Sequence, residues 1–156
     1  MICVYCRHPE TKVIDSREIP DAEEIRRRRE CLKCEKRFTT KERVEGIDIS
    51  VTKKSGEQED FDLDKLKKSF IIACRKRPVS KEDIDDAISR IESKIRKLSS
   101  NEVPSKYIGE QVMKELKKLD KVAYVRYASV YKEFKDLEEF DEELSKLMGK
   151  PLVVIS

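Results

Sequence analysis

The second half of the chain carries apolar residues at the spacing of amphipathic helices. Four segments repeat this pattern with a period of about 3.6 residues, and each has one apolar face that should pack against the others. The first extends from Leu63 and ends before Pro78, the second begins after Ser80, the third begins near Ser105, and the fourth begins near Val122. Ser80 also suits the N-cap position of its helix.

A strand pattern precedes these helices. In residues 47–52, Ile47, Ile49 and Val51 alternate with polar residues, which predicts one apolar face. Residues 54–57 have the composition of a tight turn, and residues 58–61 can return as a second strand. The sequence therefore predicts a mainly α-helical domain that opens with a β-hairpin.

Residues 1–46 differ from the rest because they hold four of the five cysteines and few apolar residues. A segment this small usually needs a metal or disulfides to fold. Two Cys-x-x-Cys pairs are typical of a tetrahedral zinc ribbon, in which all four ligands come from the protein and the ion is structural. We predict one Zn²⁺ per chain. Its ligands are Cys3, Cys6, Cys31 and Cys34.

Two alternatives use the same cysteines, namely a pair of disulfides or an iron–sulfur or redox centre. The sequence starts without the basic and apolar regions of a secretory signal, which disfavours disulfides and predicts a cytoplasmic protein. No segment approaches the roughly 20 apolar residues that cross a bilayer, so no membrane partner is expected. The fifth cysteine, Cys74, falls on the apolar face of the first helix and is predicted to be a small core residue.

Charge is nearly balanced over the 156 residues, with 35 Lys and Arg against 32 Asp and Glu. Any nucleic-acid surface must therefore be local, and residues 25–43 provide one with nine basic residues against three Glu. On a strand, Arg26 and Arg28 would face one side and Arg27 and Arg29 the other. Such arginines can bind phosphates and guanine edges, although a solvated basic face is the alternative. The predicted DNA-binding residues are Arg26, Arg27, Arg28, Arg29, Lys36 and Arg37.

No catalytic motif is evident. The sequence has neither a P-loop nor a G-x-G-x-x-G, and a single histidine supports no convincing nucleophile set, so we predict that the protein is not an enzyme. Lys53 and Lys54 nevertheless lie at the start of the predicted turn, and Lys65 on the following helix can point back toward them. Three cations beside an apolar strand suit a polyphosphate, although lysines on an exposed turn remain the plainer interpretation.

Several long stretches resemble the NrdR family, the bacterial repressors of ribonucleotide reductase genes. The stretches are residues 11–17, 26–31, 37–40, 76–80 and 119–131, and the similarity covers about residues 1–140. Two positions depart from the family pattern. Val4 replaces the usual proline of the first knuckle, and Lys54 replaces a common arginine, which keeps the charge but not bidentate phosphate binding.

The resemblance implies an α+β protein with three parts: a small β zinc-ribbon DNA-binding domain over residues 1–46, a mainly α-helical ATP-cone over 47–140, and a C-terminal tail over 141–156. It implies that the lysines of the hairpin hold phosphates and that Val51 and Glu59 lie near the base or ribose. The nucleotide-binding residues so implied are Val51, Lys53, Lys54, Gly56, Glu59, Lys65, Ser105, Tyr127 and Tyr131.

The function that follows is a nucleotide-sensing, homo-oligomeric repressor that associates with the nucleoid. It would bind double-stranded operator DNA upstream of ribonucleotide reductase genes, with ATP and dATP as effectors of oligomeric state and DNA affinity. The alternative is a zinc-ribbon module that binds a protein partner without binding DNA. Residues 133–146 carry seven acids against two bases. A solvated acidic face is the plainer interpretation, and the alternative that we predict is that this segment contacts the basic ribbon of another subunit.

Overall fold

The computed structural model describes residues 1–20, 23–44 and 48–149. Within that part of the chain, two small sheets and five helices make an α+β fold, as the sequence predicts. The N-terminal sheet contains β1 (Thr11–Ile19), β2 (Glu24–Cys31) and β3 (Arg37–Arg43) in an antiparallel order β1-β2-β3. The two cysteine pairs adjoin strand ends of this sheet, so one short ribbon carries both.

The register of this sheet decides which ribbon side chains share a face. Arg26 pairs with Arg17 on β1 and with Lys41 on β3, so three cations lie side by side. Arg27 pairs with Ser16 and Thr40 and points to the opposite face, because neighbouring side chains of a strand alternate. The predicted alternation of the four arginines along a strand is therefore confirmed.

A second sheet lies against the helices. Its central strand β4 (Ser50–Thr52) pairs antiparallel with β5 (Gln58–Asp60), which confirms the predicted hairpin. A further strand, β6 (Glu102–Pro104), pairs parallel with β4 and was not predicted. Three residues are too few to display alternation, and the partner strand is about fifty residues away. The predicted strand residue Ile47 lies outside the described residues.

The four predicted helices are present as α1 (Leu63–Ala73), α2 (Lys81–Arg96), α3 (Ser105–Leu119) and α4 (Lys121–Tyr131). Side-chain caps start three of them, and the predicted N-cap Ser80 accepts a hydrogen bond from the backbone of Asp83 at 3.0 Å. The apolar faces meet in one core. Its fully buried side chains include Phe70, Ile91, Ile95, Val103, Val112 and Leu116. Cys74 is also buried in this core, as predicted, and burial raises the pKa of its thiol.

A fifth helix, α5 (Leu137–Met148), was not predicted. Asp136 caps its N-terminus, and Gly149 ends it in the left-handed conformation with φ of 65°. The predicted boundary between domain and tail at residue 140 therefore falls inside a helix. Sequence reasoning missed this helix because only Leu147 in it is buried, so the apolar stripe is short.

Helix α5 packs against α4 of its own chain. Glu143 accepts a hydrogen bond from the Tyr124 hydroxyl and pairs with the Lys132 ammonium at 2.8 Å. Most other acids of residues 133–146 remain exposed. None of the described helices has the length and apolar character needed to span a membrane.

Candidate functional sites

The first candidate site is the cysteine cluster of the ribbon. The sulfurs of Cys3, Cys6, Cys31 and Cys34 all lie within 4.8 Å of one another. Two of the sulfur–sulfur distances are 3.7 Å (Cys3 to Cys34) and 3.6 Å (Cys6 to Cys31). Four sulfurs at about 2.3 Å from a tetrahedral zinc ion would lie about 3.8 Å apart. The cluster therefore has the dimensions of a Cys₄ zinc centre.

Backbone N–H groups point to these sulfurs and favour the thiolate form of the cysteines. The N–H of Tyr5 points to the Cys3 sulfur at 3.4 Å, and the N–H of Lys33 points to the Cys31 sulfur at 3.3 Å. The amide of Cys6 makes the largest contribution to lowering the pKa of the Cys3 thiol to about 6, while burial opposes it. Thiolates are the form that binds a metal.

Neighbouring thiolates also disfavour one another. At Cys34, the amide of Lys36 favours the thiolate, but burial and the three neighbouring sulfurs outweigh it and raise the pKa to about 12. A divalent cation held by these four sulfurs would offset this mutual repulsion. The donor set and its charge balance therefore fit a structural zinc ion held by protein ligands alone.

The second candidate site is the basic surface of the ribbon. Arg28 is exposed, and Arg27 and Arg29 are partly exposed on the opposite face of the sheet. Arg27 pairs with Glu42, while the Nε of Arg29 donates to the Thr40 hydroxyl at 3.1 Å. These contacts orient the guanidinium groups and leave part of each accessible.

Two further basic residues flank the second knuckle. The ammonium of Lys36 lies 5.1 Å from the centre of the Tyr5 ring, and Arg37 pairs with Glu30 at 2.7 Å. Both residues are exposed, so they extend the basic surface to the zinc-bearing end of the ribbon.

Arg26 differs from its neighbours because it is only 8% exposed. One guanidinium nitrogen lies 2.9 Å from the Asp86 carboxylate, and another lies 3.0 Å from Glu82. Both acids belong to α2, about sixty residues later in the chain. In this conformation Arg26 is not part of the exposed basic surface, and its predicted role in binding DNA stays a prediction.

The third candidate site is a cavity of about 290 Å³ in the helical domain. Strand β4, strand β5 and helices α1, α3 and α4 all contribute to its wall. Six of the residues that the resemblance implies for nucleotide binding line it together: Val51, Glu59, Lys65, Ser105, Tyr127 and Tyr131. Val51 and Glu59 are direct cross-strand partners in the hairpin. Residues far apart in sequence thus converge on one cavity.

Glu59 lies between two of the predicted phosphate-binding lysines. Its carboxylate oxygens are 3.0 Å from the Lys65 ammonium and 3.1 Å from the Lys53 ammonium. Hydrogen bonds from Lys65 and, less strongly, from Lys53 hold the pKa of Glu59 below its usual range, although burial acts in the opposite direction. The two ammonium groups are therefore close enough together to share a single anionic group.

A neighbouring hollow of about 360 Å³ continues this site around the hairpin turn. Lys53, Lys54 and Ser105 are among its lining residues, so Ser105 lines both cavities. Gly56 has a φ of 89° in the turn, a conformation that side chains disfavour. Its contribution is the shape of the turn rather than a side-chain contact.

An aromatic pair forms the wall of the main cavity on α4. The rings of Tyr127 and Tyr131 stack with centroids 5.6 Å apart and an interplanar angle of 17°. Burial, together with the nearby Tyr131, raises the pKa of Tyr127 to about 12. The Tyr131 hydroxyl donates to the Lys106 carbonyl at 2.9 Å, which ties α4 to the start of α3.

Sequence reasoning missed Gly109 as a residue that shapes this cavity. A Cβ atom at this position would overlap the Tyr131 ring, with the phenol oxygen only 2.8 Å away. Gly109 is buried inside α3, where glycine costs about 1 kcal/mol relative to alanine. A glycine inside a predicted helix could have been noticed in the sequence, because such a glycine is usually required by close packing against a neighbouring side chain.

Comparisons with known proteins cover both parts of the chain. Residues 1–42 match the family described as the N-terminal domain of NrdR-like transcriptional repressors, and residues 49–137 match the ATP cone domain. Proteins named transcriptional repressor NrdR are similar over nearly the whole chain. One from Clostridium tetani is 50% identical over 152 residues, which are 97% of this chain and 100% of the relative.

Relatives from other bacteria give the same result. One from Bordetella avium is 51% identical over 97% of this chain and 95% of its own length. Another from Thermomicrobium roseum is 47% identical over 100% of this chain and 97% of its own length. The predicted combination of a zinc ribbon and an ATP-cone is confirmed, with four cysteines placed for the metal and a domain of the nucleotide-binding type. The name of these relatives describes a repressor, which is not an enzyme.

Proposed function

The chain belongs to the NrdR family of transcriptional repressors, and we propose that it represses ribonucleotide reductase genes by binding operator DNA. In this proposal, residues 1–46 are the DNA-binding domain and residues 47–140 sense ATP and dATP. Nucleotide binding sets the oligomeric state of identical subunits and so the affinity for DNA. Such coupling requires that each nucleotide bind the alternative assemblies with different affinity.

The proposed nucleotide site has the strongest structural support of the proposed sites. Its support is one observation: five elements bring Val51, Glu59, Lys65, Ser105 and the tyrosine pair to one cavity. The ammonium groups of Lys53 and Lys65 share one carboxylate, and a phosphate can take the place of that carboxylate. Lys54 and Gly56 complete the turn beside it. Ser105 is the first residue of α3, and helix N-termini favour phosphate groups.

The proposed DNA surface consists of the exposed arginines of the ribbon. Zinc bound by Cys3, Cys6, Cys31 and Cys34 would fix the strand ends from which these side chains project. Arg27, Arg28 and Arg29, with Lys36 and Arg37, are accessible and surround a rigid sheet. Arginines in such positions bind phosphates bidentately or read guanine edges in the major groove.

A second candidate is a zinc-ribbon module that binds a protein partner instead of DNA. The observation that favours it is the apolar surface of the two knuckles, where Val4 is 57% exposed and Leu32 is 53% exposed. Exposed apolar residues of this kind can mark a protein interface. Binding of a labelled duplex distinguishes the two candidates.

The test compares wild-type protein with an Arg27→Ala/Arg29→Ala variant on a duplex taken from upstream of a ribonucleotide reductase gene. A matched control, Lys114→Ala/Lys117→Ala, removes two exposed cations from α3. We expect the arginine variant to bind more weakly and to flatten the slope of log K against log salt by about 0.9 for each phosphate that the variant no longer neutralises. Equal binding by both variants would refute the proposed surface, and no binding by wild-type protein in any nucleotide state would favour the protein-binding module.

A further inference from the structure

An ionic contact joins the ribbon to helix α2. On the ribbon side it uses the inner basic face, which we define as Arg17, Arg26, Lys41 and Arg43. On the helix side it uses the α2 acidic row, which we define as Glu82, Asp86 and Glu92. The sheet register places Arg17, Arg26 and Lys41 in one line across the three strands. Arg43 lies beside Glu24 at the end of the same face.

Each arginine of the inner basic face meets a carboxylate of α2. Arg17 lies 2.9 Å from Glu82 and 2.8 Å from Asp86. Arg26 contacts the same two acids. Arg43 lies 2.7 Å from Glu92.

The fourth cation of the face, Lys41, contacts α2 through a serine hydroxyl. Lys41 donates to the hydroxyl of Ser89 on α2 at 3.1 Å, and that hydroxyl donates to Glu24 of the ribbon at 2.9 Å. All four cations of the face are therefore engaged by α2 or by a residue bound to it, so each must leave a partner before it can bind an external anion.

The contact between Arg26 and the α2 acidic row pairs opposite charges, but it does not satisfy every hydrogen-bonding group of these side chains. The Nε of Arg26 is buried without a hydrogen bond. The Nη that lies 3.0 Å from Glu82 and the Asp86 oxygen that lies 2.9 Å from Arg26 make charged contacts without hydrogen-bond geometry. The side chains of Arg26 and Asp86 are 9% and 14% exposed, so water satisfies little of this deficit. A phosphate group can accept bidentate hydrogen bonds from a guanidinium. A phosphate group can therefore replace these carboxylates as the partner of the guanidinium groups on the inner basic face.

We propose that the inner basic face is a second DNA phosphate surface of the ribbon and that the α2 acidic row competes with DNA for it. This inference rests on the proposed function, in which the ribbon binds DNA. When α2 holds Arg17, Arg26 and Arg43, the only arginines of β2 that the duplex can bind are Arg28 and, on the opposite face of the sheet, Arg27 and Arg29. When the ribbon separates from α2, both faces can bind the duplex and DNA affinity rises.

Arg28 connects the inner basic face to the exposed basic surface of the ribbon. It follows Arg26 on the same side of β2 but lies beyond the contact with α2 and is exposed. A duplex that binds Arg28 therefore approaches the edge of the contact with α2. From there, its phosphates can replace Glu82 and Asp86 as the partners of Arg26.

The experiment neutralises the acidic row with Glu82→Gln/Asp86→Asn/Glu92→Gln in the full chain. The matched control, Glu57→Gln/Asp60→Asn/Asp64→Asn, removes the same charge from exposed acids of the hairpin and α1. Binding of a labelled random-sequence duplex is measured by fluorescence anisotropy at several salt concentrations, because phosphate contacts carry no sequence information. Zinc content and circular dichroism confirm that each variant is folded, and Asp86→Asn alone serves if the triple variant is not.

We expect the acidic-row variant to bind the duplex about tenfold more tightly than the control, with a salt slope steeper by about 0.9 for each released cation. Adding Arg26→Ala should remove most of that gain, whereas Arg26→Ala in the wild-type protein should change the affinity little. Equal affinities and slopes for the acidic-row and control variants would overturn the competition while leaving DNA binding intact. Failure of every folded variant and of wild-type protein to bind DNA would overturn the proposed function as well.

Discussion

Asp120 provides a sharp test of how the helical domain holds α4, the helix that carries the two tyrosines of the proposed nucleotide site. Its carboxylate caps α4 by accepting from the Ala123 amide at 2.8 Å, and it binds the Arg77 guanidinium through two nitrogens at 3.0–3.1 Å. The side chain is 10% exposed. Because α4 carries Tyr127 and Tyr131, this one residue connects the stability of the domain to the shape of the cavity.

We predict that Asp120→Ala lowers the free energy of unfolding by about 3 kcal/mol. Loss of the cap contributes about 1 kcal/mol, and loss of hydrogen bonds to a charged partner contributes about 1.5–3 kcal/mol. The matched control is Asp136→Ala, which removes the cap of α5 at an exposed position and should cost about 1 kcal/mol. Chemical denaturation followed by circular dichroism measures both.

The same pair predicts a pH dependence with a definite sign. Hydrogen bonds from Arg77, and less strongly from the Ala123 amide, hold the pKa of Asp120 below its usual range, while burial acts in the opposite direction. Its contribution to stability is therefore present above the unfolded-state pKa of about 3.9 and is lost as the pH falls through the folded-state pKa. The difference in stability between wild type and Asp120→Asn should be constant near pH 7 and shrink below about pH 4. Equal costs for Asp120→Ala and Asp136→Ala, or a difference independent of pH, would refute this reasoning.

Three further predictions address the sites directly. Gly109→Ala should displace the Tyr131 ring, weaken ATP binding measured by calorimetry, and lower the free energy of unfolding by about 1–3 kcal/mol; unchanged values for both would contradict the packing. Cys31→Ser should remove the zinc measured by elemental analysis and unfold the ribbon while the helices keep their circular dichroism, and full zinc content would exclude Cys31 as a ligand. Lys65→Ala should weaken ATP binding with zinc content unchanged, whereas the exposed control Lys117→Ala should bind ATP as wild type does.

The sequence predicted the features that depend on local pattern. Four helices follow from apolar residues at helical spacing, and the cap at Ser80 and the turn at Gly56 follow from residue type. The cysteine cluster was predictable because each knuckle needs only two residues between its ligands. The six cavity residues came from resemblance to a family, since nothing local links Val51 to Tyr131.

The features that the sequence did not predict depend on distant contacts. Strand β6 is held by its pairing with β4. Helix α5 is held by the contact of Glu143 with α4 and by the burial of Leu147 in the core, rather than by a long apolar stripe. The four arginines look equivalent in sequence, yet Arg26 is buried against Glu82 and Asp86. The carboxylates that reach the ribbon come from α2 of the same chain, whereas the sequence suggested residues 133–146 of another. That suggestion about another subunit remains a prediction.

A single titration tests whether this chain couples adenine-nucleotide binding to DNA binding. The zinc-loaded full chain is titrated onto a labelled duplex from upstream of a ribonucleotide reductase gene, without nucleotide, with ATP and with dATP, and the Kd is measured for each. We expect the Kd to change with the nucleotide and Lys65→Ala to abolish the change. The same Kd under all three conditions would contradict this coupling.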